Sequence, residues 1–161
     1  MIKTSIKTAV KGGDIRDKLG RFASKIHDMR APNAQLATQL YAWVQRNFES
    51  EGGLTEDGAW VPLALSTIKQ KARKGYSKIL QNTGQLRASA TPFHDERVAG
   101  VGMRRLSDLA DGRPPDLARI HHEGTGNIPA RQLIPTREQA LELGVKVYGV
   151  YVRRMRERSG L

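Results

Sequence analysis

The sequence contains no cysteine, which removes disulfide staples, thiol nucleophiles and the usual thiolate zinc sites together. The fold must therefore rest on packing or on partner subunits. Aromatic residues make up only 6% of the chain, too few to interleave with its many cations as a base-stacking surface would. No helix-turn-helix pattern is present either, so sequence-specific nucleic-acid readout is disfavoured. No apolar run approaches the roughly 18 residues of a membrane span, and the opening MIKTSIKTAV lacks the apolar stretch of a signal peptide. Synthesis in the cytoplasm and no membrane partner are the expectations. Acidic residues are scarce as well: 16 Asp+Glu against 27 Lys+Arg leave a formal charge of +11. Such an excess favours nucleic acid or an acidic protein surface as partner, or is simply a solvated basic surface.

What is present fits one domain over residues 1–161, with no repeat at a period of roughly 20–50 residues. Ile2, Thr4 and Ile6 alternate with Lys3, Ser5 and Lys7, which predicts an extended arm or edge strand over 1–13. Gly12-Gly13 breaks it and Asp14 can cap a helix whose apolar face is Ile15, Leu19, Phe22, Ala23 and Ile26. Pro32-Asn33 punctuates the chain, and Leu36, Leu40, Trp43, Val44 and Phe48 form a stronger helical stripe that ends before Gly52-Gly53.

The segment from Trp60 to Ser89 is the one around which the rest is arranged. Pro62 pushes Val61 out of the helical region and so sets Trp60 as a rigidly held anchor. A short basic helix opened by Ser66 or Thr67 follows, with Ile68 and Ala72 sharing a face, then a turn at Thr83-Gly84 and an amphipathic turn carrying Leu86. Residues 90–95 and 97–103 read as a β-hairpin about Asp95-Glu96, and 104–116 as a charged loop. Leu117 to Ile120 reads as a further strand. Gly126, Pro129 and Pro135 exclude a regular helix over 124–135. Thr136 and Gln139 make a capping box for a last helix, its stripe being Leu141, Val145, Tyr148, Val152 and Met155 and its final turns loaded with Arg153, Arg154, Arg156 and Arg158. The fold class expected is α+β: two N-terminal amphipathic helices and a C-terminal helix on a small, mostly antiparallel sheet built from residues near 90–103 and 117–123.

Constellations that could carry catalysis are weak. His121-His122-Glu123 groups metal-capable side chains, yet neighbours point apart and no third ligand has a characteristic spacing. Asp108, Asp111 and Asp116 would suit a Mg²⁺-dependent nuclease, but carboxylates in a Pro/Gly-rich loop are more often solvated. Ser66, Ser77 and Ser89 lack a nucleophile-elbow context, and Lys74-Gly75 follows no phosphate-cradling loop. Neither cofactor, metal nor catalytic residue is expected.

An ordered set of residues carries a resemblance: Phe48, Gly53, Trp60, Pro62-Leu63, Ser66-Thr67, Lys71, Leu80, Thr83-Gly84, Leu86-Arg87 and Ser89, then Ile120-His121, Glu123-Gly124 and Ile128-Pro129-Ala130-Arg131. In order and spacing over residues 48–135 it resembles the phage virion-morphogenesis family of tail-completion proteins found in Mu-like phages. Gln132-Leu133 departs from the pattern, where members often carry a proline and an aromatic.

The resemblance implies a non-enzymatic structural subunit of a tailed phage, sitting in a ring at the head–tail neck or tail end around the DNA channel. The corresponding roles are tail completion, tail terminator or connector. The expected partners are copies of itself in a homo-oligomeric, hexameric ring, other neck, connector or tail-tube proteins, and genomic DNA touched without sequence preference. Its station is the virion, and the host cytoplasm during assembly. Under this reading Trp60, Leu63, Leu80 and Leu86 anchor the core. Ile128, Pro129, Ala130 and Arg131 form an extended edge toward a neighbour, and Arg153, Arg154 and Arg156 meet acidic faces or phosphates. The alternatives are a basic nucleic-acid-binding accessory protein and the nuclease above.

Overall fold

A computed structural model of the chain describes residues 12–104 and 117–160. The extended arm expected before Gly12 and almost all of the charged loop at 104–116 lie outside the described residues. Within them the fold is α+β, with α1 (Gly12–His27), α2 (Arg30–Glu49), α3 (Leu65–Arg73), α4 (Gln85–Ala88), β1 (Ala90–His94), β2 (Ala99–Met103), α5 (Leu117–Glu123) and α6 (Arg137–Ser159). Helix α2 lies against both strands and against α6, while α1 lies against α6.

The stripe on α2 explains its central position. Leu36, Leu40, Trp43, Val44 and Phe48 recur at helical spacing, and all five are buried. Burying a large apolar side chain contributes about 1.5–3 kcal/mol, so this face dominates the packing. Pro32 sits in the first turn of α2, where a missing N–H costs nothing. On α1, Leu19 is 52% exposed and Phe22 half-buried, so at these two positions the expected face is only partly covered. The helix also begins at Gly12, ahead of Asp14.

Strands β1 and β2 pair antiparallel with Ala90 opposite Met103 and His94 opposite Ala99. Asp95 closes the hairpin by accepting from the backbone N–H of Arg97 (2.6 Å) and Val98 (2.8 Å), which holds its carboxyl below the usual range. The sheet stops at two strands among the described residues.

Further expectations need correction. Residues 117–123 form helix α5 rather than a strand: Ala118 is buried, and Gly124, at φ +77°, ends the helix by donating to the Ile120 carbonyl at 2.9 Å. Seven residues are too few to display a helical period. Helix α3 starts at Leu65 after Ala64, without a side-chain cap from Ser66 or Thr67. Its inward residue is Lys71, 8% exposed and hydrogen-bonded to the Asn82 side chain, whereas Ile68 and Ala72 face out.

Helix α6 is capped as expected, with Thr136 Oγ1 accepting from Gln139 N and Gln139 Oε1 accepting from Thr136 N. Its core face is rotated from the expected stripe: Gly144 and Val147 are buried, while Leu141, Val145 and Val152 are exposed. Two contacts set the rotation. Gly144 approaches Leu36 closely enough that a Cβ there would lie 3.7 Å from its side chain, and Tyr148 donates its hydroxyl to Asn33 Oδ1 at 2.7 Å.

Candidate assembly surface

The motifs between Trp60 and Leu133 are far apart in sequence and meet at one carbonyl. Gln132 O accepts from Trp60 Nε1 at 3.1 Å and from Asn47 Nδ2 at 2.9 Å. Trp60 is 5% exposed and stands edge-on to Phe48, ring centroids 5.4 Å apart at 86°, the arrangement aromatic quadrupoles favour. Leu86 is buried in the same cluster, and Leu63 and Leu80 pack against it half-covered. Leu133 is 1% exposed, and the Gln132 amide donates to Ile134 O and Gln139 Oε1. The departure at 132–133 is therefore absorbed by tight packing.

Residues 124–131 form a braced loop over α5. Thr125 N donates to Ile128 O at 2.7 Å and Ile128 N returns to Thr125 O at 3.2 Å. Gly124 is required here: at φ +77° a Cβ would lie 2.7 Å from Ala130 N and 2.9 Å from Ile128 O. Arg131 closes the loop from within. It is 5% exposed, its backbone N donates to His121 O at 2.7 Å, and its guanidinium donates to Val61 O at 3.1 Å and Pro129 O at 3.4 Å. Its hydrogen bonds are thus made inside the subunit. Pro129 and Ala130 are exposed on the loop's crest, with Ile128 half-buried beneath them. Burial lowers the pKa of Arg131.

A concave feature, a cleft of about 450 Å³, lies between α3, the Thr83-Gly84 turn and α5. Gly84, at φ +75°, makes the turn that starts α4. Leu63, Lys71, Lys74, Leu80, Leu86 and His121 line the cleft, and among the described residues no carboxylate does. Desolvation lowers the pKa of Lys71, with Glu51 opposing. The half-buried His121 has a buried Nδ1 without a hydrogen-bond partner among the described residues, and burial followed by the Arg131 charge holds its imidazole below the usual value. By contrast His122 Nδ1 accepts from Leu133 N at 3.0 Å, a packing role. Sequence reasoning missed this cleft and the buried Asn33, Asn47 and Lys71. Only the short Thr83-Gly84 turn hinted at it.

At the other end of the molecule Arg153, Arg154 and Arg156 are exposed on the last turns of α6, and their side chains make no hydrogen bond or ion pair among the described residues. No group of three or more His, Asp or Glu residues that could hold a metal is found among the described residues, and Asp108, Asp111 and Asp116 lie outside them.

These residues define a helix-rich α+β scaffold whose shared motifs brace loops against a core. Residues 10–149 match the sequence model of the phage virion morphogenesis family, and the chain belongs to that family. It is thus a protein of bacteriophage particle formation, associated with the virion. Comparisons with curated proteins and with solved structures gave no match.

Proposed function

We propose that the chain is a non-enzymatic structural subunit that assembles into a hexameric ring at the head–tail neck or tail end, around the DNA channel, as a tail-completion, terminator or connector protein. The observation that carries this reading is the Pro129-Ala130 crest. It is exposed yet held rigid from below by the buried Arg131, so a neighbouring copy meets a preformed edge and little ordering entropy is lost on docking. Ile128, Pro129 and Ala130 make the contact between copies, while Arg131 supports them. In such a ring the positive charge of each subunit repels its neighbours unless it faces acid groups. Arg153, Arg154 and Arg156 therefore face acidic surfaces of adjoining neck, connector or tail-tube proteins, or phosphates of the genome.

The test is a phage carrying Arg153→Glu, Arg154→Glu and Arg156→Glu together. Heads and tails should accumulate unjoined while the purified subunit keeps its fold; normal infectious particles would overturn the reading. The charge of +11 also favours a second reading, a basic accessory protein that binds nucleic acid outside the particle. That protein would bind duplex DNA with an affinity falling steeply with salt, and would not be retained in particles.

A further inference from the structure

Along the solvent face of α6 the residues Glu138, Leu141, Val145, Gly149, Val152 and Arg156 follow one another at steps of three or four, and so form one line down the helix. All six are exposed, with Leu141 at 58%, Val145 at 73% and Val152 at 40%. A Cβ placed on Gly149 would meet nothing within 4 Å, so the line has a gap at that step. Read from the N-terminal end, the line is acidic, apolar, apolar, open, apolar, basic.

This order is complementary to its own reverse. When a second copy is laid antiparallel about a midpoint near residue 147, Glu138 meets Arg156, Leu141 meets Val152, and Val145 meets the open position at Gly149. On one flank Glu142 faces Arg153 in the same register, and a two-fold axis repeats every pair. We propose that the free protein self-associates through this face, as an antiparallel two-fold pair of α6 helices with Val145 of each copy seated over Gly149 of the other. The occupant is a second copy because one helix supplies both halves of every match: the knob and its gap, the acid and its base. Small residues let helix backbones approach, and flanking charges fix register and orientation, as in helical zippers.

Such a pair is isologous and closes on itself, so it differs from a head-to-tail contact between ring neighbours and does not depend on the assembly role proposed above. It engages Arg153 and Arg156, which therefore reach another particle component only after the pair opens.

Sedimentation equilibrium of the full chain tests the inference at about 100 µM, in the range a small helical interface needs. A monomer–dimer equilibrium is expected. Gly149→Leu, at a position where an added Cβ meets nothing within 4 Å among the described residues, should weaken the dimer at least tenfold while circular dichroism stays helical. Glu138→Arg and Arg156→Glu should each weaken it, and mixing these two variants should restore a heterodimer, because every charge then faces its opposite. A chain that stays monomeric, or a dimer indifferent to Gly149→Leu and to the charge exchange, would overturn the proposal.

Discussion

At the scale of single residues, the braced loop depends on Gly124 more than on any side chain it carries. A methyl group there collides with backbone atoms of Ile128 and Ala130, in a conformation that L side chains rarely adopt. Gly124→Ala should cost about 2 kcal/mol or more in a denaturant titration. Gly126→Ala, two residues away with open space around it, should stay within about 0.5 kcal/mol of the parent. His121 gives a pH signature at the neighbouring cleft. Burial and then Arg131 depress its pKa, so the folded protein favours the neutral ring. Its stabilising contribution is complete above the ordinary imidazole value of about 6.5 and is lost as pH falls through the lower folded value. Unfolding midpoints measured from pH 7 downward should therefore drop over that window, and His121→Gln should flatten the drop.

At the scale of elements, α6 holds its place through its first turn. Thr136→Ala removes the oxygen that accepts from Gln139 N and should cost about 1 kcal/mol, while Thr136→Ser should retain most of it; chemical denaturation distinguishes the two. The same helix illustrates what a sequence reveals. Helix α2 was legible because five large apolar residues share one face and few sit elsewhere. Helix α6 carries apolar residues on two faces, and periodicity alone cannot say which one meets α2. That choice is made by Gly144 against Leu36 and by Asn33 with Tyr148, residues 115 positions apart. The hairpin was readable from its turn chemistry at Asp95, and the cap from Thr136 and Gln139. Helix α5 was not, since its seven residues show no period and its end depends on Gly124, whose importance lies in a contact with Ala130. The buried amides were hidden for the same reason: Asn47 finds its acceptor 85 residues away and Asn33 donates across 62. Nothing in the sequence separates Lys71 from the other lysines of its basic helix: its burial goes with the Asn82 side chain, 11 residues further on.

At the scale of the whole molecule, charge and shape divide the labour. The core cluster around Phe48 and Trp60 fixes the scaffold, and the exposed crest at 129–130 and the arginines at the end of α6 stand away from it. Reversing Arg153, Arg154 and Arg156 should therefore leave the thermal midpoint of the dilute, monomeric subunit nearly unchanged, because surface charges whose side chains pair with nothing among its described residues contribute little to its stability. A scanning calorimetry trace of the triple variant checks this independently of any assembly assay. The assembly role proposed above requires the chain to be a constituent of the finished particle. Quantitative mass spectrometry of gradient-purified virions decides this: the intact polypeptide should be present at a small, fixed copy number per particle, and its absence from mature, infectious virions would overturn the assembly role.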